Sequence, residues 1–254
     1  MQFAALYFGT WDEMRSAIDI FLRAEGNPRA ASDAQSQQLI GFFAQQLPTP
    51  ADREWLRLFV SSLVDEGRKF HHAWWVARTR ERAAVLTRAD ELWQRTYRPK
   101  FQPFLNNSGQ ASGDMLLSLA IGGEGRTVAA GKQQNVVTVT FPATTGEAEE
   151  AIYVFAHEVV GNIAGTALND NVTPADRRNG VTDKLQSAAA VRGGAMLLQR
   201  IAPELLTGYA RFYLREIGQS PTSDPVAALV AQFTLPETVR DAIQRQLEIV
   251  LGGI

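Results

Sequence analysis

The segment IYVFAHEVVGNIAGTAL, Ile152 to Leu168, constrains this chain more than any other. Apolar side chains surround His157 and Glu158 on nearly every side: Tyr153, Val154, Phe155, Val159, Val160 and Ile163. A helix that is apolar all round is a buried helix, so the rest of the chain must build a core that encloses it. Burying an unpaired carboxylate or imidazole is expensive, or forces the group into its neutral form. His157 and Glu158 therefore need partners inside that core.

At 254 residues, with 45 % apolar and 20 % charged side chains, the chain has material for one large domain or two small ones. The formal net charge of -2 gives no electrostatic reason to expect nucleic acid or an anionic membrane as partner. No contiguous apolar run reaches the ~18 residues that a transmembrane helix requires. The opening MQFAALYFGTWDEM lacks a basic n-region and turns acidic at Asp12 and Glu13, unlike a signal peptide. The expectation is a cytoplasmic protein, or an exported one whose leader has been removed. Cysteine is absent, which excludes disulfides, thiolate metal sites and cysteine nucleophiles.

Periodicity predicts helices over most of the chain. WDEMRSAIDIFLRAEG places Met14, Ala17, Ile18, Phe21 and Leu22 at helical spacing and stops at Gly26. SDAQSQQLIGFFAQQL repeats the pattern with Leu39, Phe42 and Phe43. PTPADREWLRLFVSSLVDEGRKFHHAWWVARTRERAAVL opens with Thr49 as cap, Pro50 in the first turn and Asp52 behind it, with a break expected at Gly67. RADELWQRTY is expected to end ahead of Pro99 and Pro103. Beyond the loop chemistry of NNSGQASG, β-branched runs at Met115–Ile121 and Val136–Phe141 predict strands separated by glycine-rich turns. Helices return with EAEEAIYVFAHEVVGNIAGTAL and TPADRRNGVTDKLQSAAAVRGGAMLLQRI. PELLTGYARFYLREI, DPVAALVAQFT and PETVRDAIQRQLEIVL follow, each with proline near its start.

The fold class is therefore α+β and predominantly helical, with a small sheet just ahead of the His-Glu helix. The loop near 106–114 divides a helical N-terminal region, 1–106, from a core module with C-terminal helices, 107–254; one continuous domain fits the same pattern.

Residues four apart on a helix share a face. A zinc peptidase uses this spacing to converge two histidines on one metal, and the glutamate after the first reaches the metal-bound water. HEVVG supplies His157 and Glu158, then Gly161 where the second histidine belongs. The run GEGRTVAAGKQQNVVTVTFPATTGEAEEAIYVFAHEVV resembles the zincin-type metallopeptidases of the gluzincin kind in its order of elements. In that family a small sheet ending in an edge strand precedes the His-Glu helix, and a further helix carries a third ligand. The likeness spans roughly Gly113 to Leu198, and only His157 and Glu158 match the motif itself.

The resemblance implies a zincin-like domain, with Glu158 as general base and His157 as a zinc ligand. It places the third ligand within DKLQSAAAVRGGAMLL, where Gln186 aligns best, Ala190 stands where an acidic residue would follow, and Asp183 lies a turn away. Ala167 stands where a metzincin would carry its third histidine. One histidine without a second and third ligand makes neither a closed nor a catalytic zinc site. The expectation is a metallopeptidase relative whose zinc site is lost or rebuilt, with weak or no hydrolysis of peptide or amide bonds. Zinc stays a candidate cofactor, and a peptide or protein the candidate partner.

Two other readings stay open. One is a non-catalytic peptide-binding or scaffold protein that holds an extended peptide between the Val136–Phe141 edge strand and the His-Glu helix by strand addition. The other is an unrelated helical fold with a structural pair, Glu158 against Arg126 or Arg192 and His157 on a carbonyl. His71 and His72 are adjacent and point about 100° apart on a helix, so they join one metal only with His157 across helices. Phe70, Trp74 and Trp75 read as core filling or a groove wall. GGEGRTVAAGK lacks the Gly-Lys-Ser/Thr ending of a phosphate loop and reads as a hairpin beside a cleft. NDNVTPADRRNG reads as a helix cap at Thr173 and Asp176, not a calcium loop. Gly193 and Gly194 each cost a helix about 1 kcal/mol relative to alanine. They predict close approach of another backbone, that of the helix carrying Gly161 and Gly165.

Overall fold

Side-chain caps start the first helices where the sequence places them. In the computed structural model, which describes residues 8, 10–131 and 134–252, Thr10 and Glu13 form a capping box at α1 (Trp11–Arg23). Asp33 caps α2 (Ala34–Gln46), and Thr49 with Asp52 builds a second box at α3 (Pro50–Glu66), with Pro50 in its first turn. The chain forms two units, Met1–Arg82 and Ala83–Ile254. In the first, Ala17, Ile18 and Phe21 pack with Ile40, Phe43, Leu47 and Leu56 in a small core. Gly67 does not break the third helix. The chain passes through a π-helical turn, Gly67–His71, into α4 (His72–Glu91), absorbing an irregularity that the sequence presents as a stop.

A second π-helical turn, Leu92–Tyr97, leads into α5 (Arg98–Asn107). The helix expected to end before Pro99 and Pro103 therefore continues through both. Pro99 stands in the first turn of α5, where its missing N–H costs little, and Pro103 lies inside the helix. Phe101, Phe104 and Leu105 enter the main core of the second unit.

Three strands follow: β1 (Ser112–Ser118), β2 (Arg126–Gly131) and β3 (Gln134–Thr140). Their order is β1-β3-β2, with β3 parallel to β1 and antiparallel to β2. This corrects the sequence reading in two respects. Of the run Val136–Phe141, expected at the edge, all but Phe141 belongs to the central strand, and the glycine-rich hairpin expected as loop contributes the edge strand β2. Val137, Thr138 and Val139 are all buried, as a strand covered on both faces requires.

Helix α6 (Glu150–Val159) runs through the core, with every residue from Ala151 to His157 buried. The helix expected to continue to Leu168 is interrupted at Val160 and resumes as α7 (Gly161–Asn171). The next helix also divides, into α8 (Pro174–Arg178) and α9 (Val181–Ile201). Gly180 between them takes φ +70°, a left-handed conformation that glycine adopts without steric cost. Helices α10 (Leu206–Glu216), α11 (Pro225–Gln232) and α12 (Glu237–Gly252) complete the unit.

Helix α9 packs against α6, α7, α10 and α12, so α6 is enclosed between helices and β3. The fold is a predominantly helical α+β one, 73 % helix, with a small mixed sheet ahead of a core helix. By length and composition alone the stretch Thr145–Asn171 matches a membrane-crossing helix, with mean hydropathy 1.2 in its most apolar window. In the fold 67 % of that window is buried inside the protein, where α6 serves as the core helix.

Candidate functional site

The last turn of α6 delivers His157 and Glu158 beside the sheet, with side chains only 8 % and 12 % exposed. His157 Nδ1 lies 3.1 Å from Glu158 Oε1, and Thr127 Oγ1 on β2 donates to Glu158 Oε2 at 3.0 Å. Both carboxylate oxygens are thus engaged. The Tyr213 ring of α10 stacks on the imidazole, with centroids 5.5 Å apart and planes inclined by 26°. The Tyr213 hydroxyl in turn donates to the Gly123 carbonyl at 2.9 Å. His157 Nε2 is buried and has no hydrogen-bond partner among the described residues.

Two glycines let backbone close around the pair. A Cβ on Gly125 would stand 2.6 Å from Glu158 Cγ and 2.5 Å from the Thr138 carbonyl oxygen. The turn into β2 therefore lies directly on the Glu158 stem. On the opposite side, a Cβ on Gly194 of α9 would collide with the Tyr209 hydroxyl and stand 3.3 Å from His157 Cα. That hydroxyl is fixed by donating to the Val191 carbonyl at 2.8 Å. The Gly123 amide is tied to Glu216 Oε2 at 3.2 Å, which anchors the glycine-rich run over the pair.

Other residues singled out by sequence lie elsewhere. Gly161 is exposed at the start of α7, and an added Cβ there meets nothing within 4 Å. The expectation that Gly161 packs against Gly193 and Gly194 is overturned. Gly193 faces the Val160 side chain, and Gly194 faces Tyr209 and His157. Gly161 stands just past the interruption at Val160 and is exposed, whereas His157 is buried.

Asp183 and Gln186 are exposed near the start of α9. Gly194 is the α9 residue level with His157, and at ~1.5 Å rise per residue Gln186 and Asp183 lie about 12 and 16 Å further along the axis. Neither reaches the imidazole. Arg192 donates to the Val230 carbonyl at 3.3 Å, while Arg126 opens β2 in register with Thr138. His71 and His72 are exposed in the first unit, and His71 stacks on Trp75. Among the described residues, no group of three or more His, Asp or Glu side chains converges to hold a metal.

Thr127, Tyr213, Gly125 and Gly194 are the residues that give the pair its setting, and spacing along the chain does not mark the first three. Only the paired glycines in VRGGAMLL signalled a close approach, and the structure assigns it a different neighbour.

A second polar group sits at the start of α6. Glu149 accepts from the hydroxyls of Tyr97 and Tyr153, each at 3.1 Å. Burial, together with the adjacent Glu149 carboxylate, pushes both phenols well above the ordinary tyrosine value. Burial alone does the same to Tyr209, and burial above all to Tyr213. Burial also raises Glu150, against the opposing effect of Arg215 at 2.9 Å. Glu150, Tyr153, Phe212 and Arg215 line an open cavity of about 530 Å³.

A general base must lie within reach of the proton it removes. One Glu158 oxygen accepts from Thr127 and the other faces His157 Nδ1, and with the side chain 12 % exposed and Gly125 over its stem little of the carboxylate faces a substrate. The zinc that the resemblance implies does not fit this donor set. Nε2 of His157 is one orphaned donor, but a catalytic zinc needs three protein ligands and the neighbouring carboxylate is committed to Thr127 and Nδ1. No protein-family model, curated protein or solved structure matches the chain.

Proposed function

We propose that this chain is a zincin-like metallopeptidase relative whose His-Glu helix has become structural, and that it acts without hydrolysis as a peptide- or protein-binding scaffold. A small sheet directly followed by the His-Glu helix supports the kinship. The enclosure of Glu158 supports a structural role: one oxygen takes the Thr127 hydroxyl, the other faces His157 Nδ1, Gly125 covers the stem, and the side chain is 12 % exposed. Strand addition on β3 is ruled out, because β3 is paired along both sides, so a bound strand would have to use β1 or β2.

The reading is tested by measuring bound zinc in the purified protein, thermal stability with and without chelator, and hydrolysis of peptide libraries before and after Glu158→Gln. The expected result is substoichiometric zinc, stability insensitive to chelator and no hydrolysis attributable to Glu158. Stoichiometric zinc, or a peptidase activity lost in Glu158→Gln with the fold intact, overturns it. Gly161→His should recover no zinc, since residue 161 lies outside the α6 helix and in open space.

A further inference from the structure

From Arg57 to Arg82 no residue is buried, although this stretch holds Leu58, Phe59, Val60, Leu63, Val64, Phe70, Trp74, Trp75 and Val76. It forms continuous helix through α3, the π-helical turn and α4. Trp55, Phe59, Phe70 and Trp75 are each between 45 % and 57 % exposed. At about 150–250 Å² per large aromatic side chain, those four rings leave roughly 300–500 Å² of apolar surface in water. Leu58, Leu63 and Val76 extend it. Monomers rarely leave contiguous patches larger than a few hundred Å² uncovered, and a stable interface needs about 800 Å² from each partner.

Trp55 stacks on Phe59, and Phe70, His71, half-buried Trp74 and Trp75 form a second ring cluster. Trp55 and Phe59 lie 5.1 Å apart with planes 7° from parallel, and Phe70 and Trp74 lie 6.5 Å apart at 26°. Each pair has a four-residue spacing, and the two are placed symmetrically about the Val64–Asp65 midpoint. Trp55 and Trp74 are equidistant from that point, as are Phe59 and Phe70. The charges divide two residues further on, between Glu66 and Gly67. Residues 50–66 carry four acids and two arginines, net -2; residues 67–82 carry five cations and one acid, net +4.

We infer that the exposed face of this long helix is the interface of an antiparallel homodimer, its two-fold axis passing between Val64 and Asp65. A two-fold interface must be self-complementary. In this register Trp55 and Phe59 of one copy meet Trp74 and Phe70 of the second. In this register residues 50–66 of one copy, net -2, lie opposite residues 63–79 of the other, where Arg68, Lys69 and Arg78 outnumber Asp65 and Glu66, whereas a parallel pairing would set the net -2 segments against each other.

Sedimentation equilibrium of the full chain through the micromolar range should give a dimer. Phe59→Glu/Phe70→Glu should give a monomer with unchanged helical circular dichroism, because both positions are exposed. The chain has no cysteine, so Phe59→Cys and Phe70→Cys report the register directly. Under mild oxidation each variant alone should stay uncrosslinked, since equivalent residues lie about 17 Å apart along the axis at ~1.5 Å per residue. A mixture of the two should form a disulfide-linked dimer. A monomer at all concentrations, a dimer that survives the double glutamate change, or crosslinking of a single variant with itself overturns the inference. So does a monomer that binds phosphatidylserine vesicles through these rings, which would make the face a membrane surface.

Discussion

Thr127→Val removes the one hydroxyl that donates to Glu158 Oε2 while keeping the shape of the side chain. Glu158 is 12 % exposed, so little water can replace the lost donor. A hydrogen bond to a charged group contributes about 1.5–3 kcal/mol, and an unsatisfied buried group carries its desolvation cost in full. The expected destabilisation is about 2 kcal/mol. With a urea m-value of about 2 kcal/mol per molar, the unfolding midpoint of the second unit falls by roughly 1 M.

Glu158→Leu alone leaves the Thr127 hydroxyl and His157 Nδ1 without their acceptor, and should cost about 1–3 kcal/mol for the same reason. The double variant Thr127→Val/Glu158→Leu removes both ends of the bond and should be more stable than the two single losses together imply, by about 1–3 kcal/mol. Urea unfolding followed by circular dichroism measures all three. Trp93, whose ring centroid lies 4.6 Å from that of Phe155 on α6, gives a local fluorescence signal. An unchanged midpoint in Thr127→Val, or strict additivity in the double variant, refutes the structural role of the pair.

Two further outcomes are expected. Gly194→Ala should destabilise by about 1–3 kcal/mol through overpacking against Tyr209, fully buried and unable to retreat, less the ~1 kcal/mol that alanine gains in a helix; Gly161→Ala, with open space around it, should stay close to the parent in thermal unfolding, and a stabilised Gly194→Ala contradicts the packing. Tyr97, Tyr153, Tyr209 and Tyr213 all have raised folded values, so the folded state keeps protons that the unfolded chain releases above pH ~10. Stability is therefore fully present below pH ~10 and falls above it, by up to about 1.4 kcal/mol per pH unit for each phenol; phenolate absorbance should rise together with loss of helical signal, and titration of these four in the folded protein near 10 would refute their burial.

Much of the local structure was legible in the sequence because its causes lie within a turn or two of chain. Thr49 with Pro50 and Asp52 marks the start of α3, and Asp224 before Pro225 caps α11 through the Ala227 amide. The apolar surround of His157 announces burial, and both it and Glu158 are largely enclosed. Where local signals misled, a local rule was outweighed by packing. Pro99 and Pro103 entered a helix that a wide turn prepared for them, and Gly67 stayed helical. The interruption at Val160 falls just before Gly161, a weak helix former, but the apolar pattern on either side of it reads as one helix.

What the sequence alone determined is the helical content, the small sheet ahead of a buried His-Glu helix, and the obligation of that pair to find partners. Periodicity, caps and desolvation act through neighbours in the chain, so they can be read in one dimension. The tertiary structure decided who the partners are. Thr127 reaches Glu158 only because β2 folds back along β3, and Tyr213 reaches His157 only because α10 packs on α6. It also carried Gly161, Asp183 and Gln186 away from the imidazole. Contacts between residues 31 or 56 positions apart depend on strand order and helix packing, and neither leaves a periodic trace in the residues that meet.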